Sequence, residues 1–293
     1  MNKKQWWKYG LFATVLLTCI LSFMILWLNE ESEFGLLNKL ERNQQTEQGT
    51  TNEKTKSEEQ QTVSQPAQEQ EFDEEEAIPE QELDFLVVID PGHQKEANLE
   101  QEPIGPGAAE TKYKVTGGTT GVVTNKPEYV LNLEASLLLQ EQLEERGIQV
   151  ILTRNTNDVD ISNKERAEMA NSYHADLFVR VHADGSESAE TKGFSVLVPS
   201  QNDSYTASIY QESNEAATFV INHVSPTITL NQTGLFYRSD MSGFNWSEVP
   251  VILLEIGFMT NPEDDRNLSD PTYLENLMEL VGAGIEAYAQ TKQ

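Results

Sequence analysis

The sequence contains one cysteine, Cys19, among 293 residues, so neither an intrachain disulfide nor a zinc site built from thiolates can form. Basic residues are also scarce, with 20 lysines and arginines against 48 aspartates and glutamates and a formal net charge of −28. Nucleic acids and anionic lipid surfaces attract basic clusters, so neither is expected as the main partner. Any metal bound here must use histidine and carboxylate ligands.

Several compact catalytic signatures are also missing. The chain has no HExxH or HxxEH metalloprotease motif, no GxSxG nucleophile elbow and no GxxxxGK phosphate loop.

An uncharged apolar run occupies residues 9–28 and has the length that a helix needs to cross a bilayer. Lys3, Lys4 and Lys8 precede it, so the positive-inside rule predicts a cytoplasmic segment at 1–8, a membrane helix at 9–28 and an extracytoplasmic remainder. A cleaved signal peptide is the alternative, with secretion to the cell exterior. Either interpretation places the rest of the chain outside the cytoplasm.

The next segment, residues 29–84, is rich in Glu, Gln, Thr, Asn and Ser. From residue 30 to residue 84 it has 17 acidic and 4 basic side chains. Few large apolar residues are present, so burial cannot offset the entropy lost on ordering. We predict a disordered acidic linker at 29–84 and a single folded domain at 85–293.

The folded part alternates between two patterns. Short apolar runs that stop at turn residues predict strands, and apolar residues at helical spacing predict helices. Strands are expected at 85–89, 148–153, 176–182, 193–198 and 249–256, and helices at 127–146, 162–172, 206–224 and 270–290. This alternation predicts an α/β fold, a single twisted sheet, largely parallel or mixed, with helices on both faces.

Three polar residues lie at the carboxyl ends of predicted strands, where open α/β sheets place their sites. They are His93, His182 and Glu255. Each histidine alone is more often a hydrogen-bonding residue than a metal ligand. Glu255 lies within an apolar strand, so a metal-associated water, a salt bridge or protonation must stabilise it. His174 and His223 show no partner ligand and are interpreted as structural or solvent-facing.

A zinc site needs three protein ligands, and two histidines supply only two. Glu128 and Glu134, on the predicted helix between the histidines, are the nearest further donors. Glu128 also stands three residues after Asn125, as in a capping box at a helix start. Spacing alone favours the cap.

Four segments of the chain together form a sequence pattern of a known family: VVIDPGH at 87–93, KPEYVLNLE at 126–134, DLFVRVHAD at 176–184 and VPVILLEIGFMTNPEDD at 249–265. In this order they resemble the zinc-dependent N-acetylmuramoyl-L-alanine amidases of bacterial cell walls. The resemblance covers essentially residues 85–290. It implies that His93, Glu128 and His182 bind Zn²⁺ and that Glu255 is the catalytic residue. Asp184 departs from the family, which commonly has asparagine there.

The resemblance implies a hydrolase that cleaves the amide between N-acetylmuramic acid and the L-alanine of the stem peptide. Peptidoglycan and the cytoplasmic membrane are then the expected partners, and we expect a monomer. Two alternatives are a zinc peptidase acting within the stem peptide and a non-catalytic domain that binds peptidoglycan or a division partner.

Overall fold

A computed structural model of the chain describes residues 83–293. The predicted cytoplasmic segment at 1–8, the predicted membrane helix at 9–28 and all but the last two residues of the predicted linker lie outside this range. Within residues 83–293, none of the helices combines the length and apolarity that crossing a bilayer requires.

The described residues form eight strands and six α-helices. The strands are β1 (Leu86–Pro91), β2 (Asn98–Pro103), β3 (Thr111–Val115), β4 (Gln149–Leu152), β5 (Leu177–Asp184), β6 (Phe194–Pro199), β7 (Leu230–Arg238) and β8 (Val251–Phe258). The helices are α1 (Glu128–Glu144), α2 (Asn163–Ser172), α3 (Tyr210–Val224), α4 (Ser242–Asn245), α5 (Pro262–Leu268) and α6 (Pro271–Ala289), followed by a short 3-10 turn at Gln290–Lys292.

Six of the strands form one sheet in the order β4-β1-β5-β8-β6-β7. All neighbouring pairs are parallel except β6 with β8, which is antiparallel. Helices α1, α3 and α6 pack on one face, and α2 and α4 pack on the other. The predicted α/β class, with a largely parallel sheet covered on both faces, is confirmed.

Alternating side chains of the central strands supply both cores. On β5, Leu177, Val179 and Val181 contribute to one core and Phe178 to the other, and every residue of β8 is buried. A strand that is covered on both faces has apolar residues at nearly every position, so its sequence is a continuous apolar run. These strands could therefore be predicted from the sequence. Their burial fixes the carboxyl ends of β1, β5 and β8 at one edge of the sheet.

The strands β2, β3 and β7 were not predicted. β2 and β3 pair only with each other as an antiparallel hairpin, and most of their side chains are exposed or half-buried. β7 is the edge strand of the main sheet and is also only partly buried. Backbone pairing without an apolar face leaves no period-two pattern in the sequence.

A buried ionic network lies under the carboxyl end of β1. The Asp90 carboxylate accepts from Arg166 Nη1 at 2.8 Å, from Arg180 Nε at 2.9 Å and from Thr153 Oγ1 at 2.6 Å. Burial alone would raise the pKa of Asp90, but the two guanidinium groups outweigh it and hold the pKa far below its usual range. The network therefore joins β1, β4, α2 and β5 just below the turn that carries His93.

We expect Asp90→Asn to lower the free energy of unfolding by about 3–5 kcal/mol, because it leaves two buried guanidinium groups without a counter-charge. Urea denaturation at neutral pH measures this. The pKa of Asp90 is lower in the folded state than in the unfolded chain, where it is about 3.9. The stability that the ionised Asp90 contributes is therefore fully present above about pH 3.9 and is lost as the pH falls through the folded-state pKa. Asp158→Asn, at an exposed position, is the control and should change stability by less than about 0.5 kcal/mol. Equal effects of the two substitutions would contradict this account.

Candidate active site

The side chains of His93, His182 and Glu255 lie at the same edge of the sheet. His93 follows β1 by two residues, His182 lies near the end of β5, and Glu255 lies on β8 directly beside His182 in the strand register. Their sequence positions are far apart, and parallel pairing of β1, β5 and β8 brings them together.

His93 has its imidazole orientation fixed by one hydrogen bond. Its backbone has a φ of 59°, which turns the chain sharply away from β1. Ring atom Nδ1 lies 2.8 Å from the Thr116 carbonyl oxygen. Because a carbonyl only accepts, Nδ1 must carry the proton, and Nε2 keeps its lone pair. Nε2 lies 3.1 Å from Glu128 Oε1.

Glu128 is the first residue of α1, and its carboxylate points into the site. Oε2 accepts from the Thr119 backbone N–H at 2.6 Å, and Oε1 lies 3.2 Å from both the Ala183 backbone nitrogen and Asn132 Nδ2. Burial raises the pKa of Glu128, but the close contacts with the two imidazoles outweigh burial and hold the pKa well below its usual value. Glu128 is therefore an anion held in place by four elements of the chain.

The predicted capping box is wrong. The N-cap position of α1 is Pro127, which makes no side-chain cap, and Asn125 lies two residues earlier with a φ of 57°. The other candidate donor, Glu134, is exposed and pairs with Lys126 at 2.6 Å. Of the two glutamates, only Glu128 faces the histidines.

His182 completes the cluster. Its Nδ1 lies 3.2 Å from Glu128 Oε1, and its Nε2 is buried with no hydrogen-bond partner among residues 83–293. Burial is the main reason that the pKa of His182 falls to about 4, so the ring is neutral at physiological pH. Neutral imidazole is the form that binds metals.

The two other histidines stand apart from this cluster, as predicted. His174 is exposed, and His223 Nδ1 bonds to the Phe219 carbonyl at 2.8 Å. Within the described residues, His93, Glu128 and His182 form the one group whose donor atoms could hold a metal ion, and those atoms all lie within 4.8 Å of one another.

This donor set fits zinc. Two nitrogens lie 3.1 and 3.2 Å from the same carboxylate oxygen. Tetrahedral zinc with bonds of about 2.0–2.2 Å places its ligand atoms about 3.3–3.6 Å apart, so a small adjustment would accommodate the ion. The tautomer of His93 and the neutral state of His182 leave nitrogen lone pairs for it.

Glu255 is buried beside the cluster. Its Oε2 has no hydrogen-bond partner, and no cation forms a salt bridge with it in the described part of the chain. Burial, and then the neighbouring Asp184 and Glu128 carboxylates, raise the pKa of Glu255 well above its usual value. The sequence predicted that a metal-associated water, a salt bridge or protonation stabilises Glu255, and within residues 83–293 the salt bridge is ruled out.

The sequence did not predict the backbone groups that position His93 and Glu128. The loop after β3 supplies the Thr116 carbonyl to His93 and the Thr119 N–H to Glu128. Asp265 holds the same loop from α5, accepting from the backbone N–H groups of Val123 and Thr124 at 2.6 and 2.9 Å. Backbone donors have no residue signature, and the closely spaced Gly117, Gly118 and Gly121 are the feature of the sequence that marks this loop.

Gly92 allows the close approach of His182. A Cβ at residue 92 would lie 2.3 Å from Cε1 and Nε2 of the His182 ring. We expect Gly92→Ala to displace the imidazole and weaken zinc binding about 10–100-fold, the usual loss when support for a metal-binding histidine is removed. Competition against a chelating dye measures the affinity, and thermal unfolding reports the fold. At Gly117 an added Cβ meets nothing within 4 Å, so Gly117→Ala is the control. Equal affinities in the two variants would show that Gly92 does not position His182.

Comparison with known proteins identifies the family. The sequence model described as N-acetylmuramoyl-L-alanine amidase matches residues 87–287. N-acetylmuramoyl-L-alanine amidase Rv3717 of Mycobacterium tuberculosis is 29% identical over 230 residues, covering 74% of this chain and 91% of that protein. AmiC of Escherichia coli is 27% identical over 70% of this chain, but the match spans only 52% of AmiC.

Solved structures agree with this assignment. The crystal structure of the N-acetylmuramyl-L-alanine amidase Ami1 from Mycobacterium smegmatis matches with a TM-score of 0.65 and 28% identity, over 72% of this chain and 99% of that one. Ami1 from Mycobacterium abscessus matches with a TM-score of 0.64 and 29% identity, over 70% and 98% of the two chains. The chain therefore belongs to the N-acetylmuramoyl-L-alanine amidase family and is a peptidoglycan hydrolase.

Proposed function

We propose that this amidase depends on zinc held by His93 Nε2, the Glu128 carboxylate and His182, and that Glu255 is its catalytic acid and base. The observation that carries this proposal is the approach of both imidazoles to one Glu128 oxygen, next to a buried carboxyl that has no partner. The substrate bond is the amide between N-acetylmuramic acid and L-alanine. When bound, zinc would polarise the carbonyl and lower the pKa of a water molecule.

The chain's own residues define what happens around that bond. Glu128 and the two histidines come from β1, α1 and β5, so the fold fixes their geometry before substrate arrives. Asn132 Nδ2 and the Thr119 and Ala183 backbone N–H groups hold the Glu128 carboxylate against rotation. The metal ligands therefore need little reorganisation on binding.

Glu255 acts as the general base and general acid of the proposed reaction. Burial raises the pKa of Glu255 well above its ordinary value, which makes the carboxyl a better proton acceptor than an exposed glutamate. As a base it takes the proton of the attacking water, and as an acid it gives a proton to the L-alanine nitrogen that leaves. Both transfers use the same carboxyl, next to His182 across the β5–β8 pairing.

We also propose that the catalytic domain acts outside the cytoplasm, held to the cell membrane by the segment at 9–28. The support comes from the sequence: an uncharged run of the right length preceded by lysines, and an acidic linker after it. The anchor and linker would keep the domain close to its polymeric substrate.

Digestion of purified peptidoglycan by the full-length protein, with and without a chelator, tests the proposal. We expect release of intact stem peptides with new L-alanine amino termini, detected by mass spectrometry, and loss of activity with chelator that zinc restores. Products cleaved within the stem peptide, with the lactyl amide intact, would point to the alternative peptidase. Binding without cleavage would point to a non-catalytic domain.

A further inference from the structure

A second feature of the molecule lies next to the metal cluster: a cavity of about 440 Å³ between the β2–β3 hairpin and the segment that follows β7. Its volume lies in the usual range for small-ligand sites. Residues that line it include Lys112, Tyr113, Thr116, Arg180, Arg238 and Asp240.

The cavity adjoins the proposed catalytic residues at two points. Thr116, which lines it, is the residue whose carbonyl accepts from His93 Nδ1. Arg180, which also lines it, precedes His182 by two residues on β5 and projects from the same face. A substrate whose scissile amide reaches the metal cluster can therefore extend into this cavity.

The charges of the cavity are unusual for so acidic a chain. Lys112 and Arg238 share one carboxylate, that of Asp240, at 3.6 and 2.8 Å. Arg180 is buried and already bonded to Asp90 and to Asn163 Oδ1. The side chains of Lys112 and Arg238 are both partly exposed at the cavity, and the carboxylates of Asp184 and Glu255 also lie close enough to Arg238 to act on its charge.

The guanidinium group of Arg238 has hydrogen-bond donors that its ion pair with Asp240 does not use. It uses Nε and Nη2 for a two-point contact with the Asp240 carboxylate, at 2.8 Å each. Among residues 83–293, its Nη1 donates no hydrogen bond, so one edge of the guanidinium group remains free. Asp240 thus fixes the orientation of the group without occupying all its donors, an arrangement suited to a second carboxylate.

We propose that this cavity binds an ionised carboxylate of the stem peptide, and that Arg238 recognises it with Lys112 as a supporting cation. The proposal rests on the amidase function described above. Peptidoglycan offers two kinds of surface to the enzyme. The glycan strand presents neutral hydroxyl and acetamido groups, whereas the stem peptide carries ionised carboxylates. An arginine with a free guanidinium edge in a cavity beside the scissile bond therefore suits the peptide.

The test compares two soluble substrates: an N-acetylmuramoyl tripeptide with free carboxylates and the same molecule with its carboxylates converted to amides. Hydrogen bonds to a charged group contribute about 1.5–3 kcal/mol, so the full-length wild-type protein should prefer the free acid in kcat/KM by about tenfold or more. In Arg238→Gln we expect this ratio to fall to near 1, with the loss on the free acid appearing mainly in KM. Arg238→Lys, which keeps the charge but loses the planar fork, should give an intermediate ratio.

Arg266→Gln removes an exposed arginine whose side chain, within the described part of the chain, bonds only to the Pro262 carbonyl, and it should keep the wild-type ratio. A wild-type ratio near 1, or an equal loss on both substrates in Arg238→Gln, would overturn the proposed subsite while leaving the amidase function intact. Cleavage of neither substrate by wild type would instead refute the function. If Arg238→Gln does not fold by circular dichroism, Lys112→Gln replaces it, with a smaller fall in the ratio expected.

Discussion

Glu255→Gln is expected to lower kcat by about 10²–10⁴-fold while the protein still binds zinc, because the amide cannot accept or return a proton. The substitution keeps the shape of the side chain within β8. It also relieves the cost of a buried, unpaired carboxyl, so we expect the free energy of unfolding to stay the same or to rise.

Two measurements on the same preparation distinguish catalysis from metal binding. Elemental analysis gives the zinc content per chain, and release of L-alanine amino termini gives kcat. Glu248→Gln, at an exposed position of the loop before β8, is the matched control and should behave as wild type in both. Near-normal turnover in Glu255→Gln would remove Glu255 from the mechanism.

His182→Ala should lose both zinc and activity. His182 is one of the three donors of the proposed zinc site, and a catalytic zinc site depends on each of its donors. The loss in zinc affinity should exceed the factor of about 10–100 that follows removal of a residue that only supports a ligand. His93→Ala should have the same effect, since its Nε2 faces the same Glu128 oxygen.

His223→Ala provides the comparison for both variants. That histidine is half-buried and, among residues 83–293, its ring bonds only to the Phe219 carbonyl of its own helix, so zinc content and activity should match wild type. Full zinc occupancy in purified His182→Ala would contradict the ligand assignment. Loss of zinc in His223→Ala as well would indicate general unfolding and not loss of a ligand.

The elements predicted best were those buried on both faces. Observed β5 and β8 begin one or two residues after the predicted strands at 176–182 and 249–256 and extend two residues past them, because continuous apolar runs identify central strands. The helices at 127–146 and 270–290 were placed to within two residues for the corresponding reason, apolar spacing along one face. The β2–β3 hairpin and β7 were not predicted because their polar, partly exposed residues form neither a continuous apolar run nor an apolar face.

Glu128 shows where local reasoning fails. The spacing from Asn125 to Glu128 matches a capping box, and a local rule prefers that short-range interaction. The carboxylate instead accepts from Thr119 and Ala183, the latter 55 residues away along the chain. Whether the Glu128 carboxylate accepts from the helix cap or from distant backbone N–H groups depends on how close those groups lie. Those distances are set by the tertiary structure and not by local sequence.

By itself, the sequence determined the chemistry that is available: imidazole and carboxylate donors without thiolates, and apolar strands that end in His93, His182 and Glu255. Tertiary structure decided how these groups are used. It turned the Glu128 carboxylate toward the histidines, as the resemblance implied, fixed the tautomer of His93 through Thr116, and placed Arg238 and Lys112 around a cavity next to the site. The reason is physical: side-chain identity is encoded residue by residue, whereas orientation and proximity arise when parallel strands and the β2–β3 hairpin pack together.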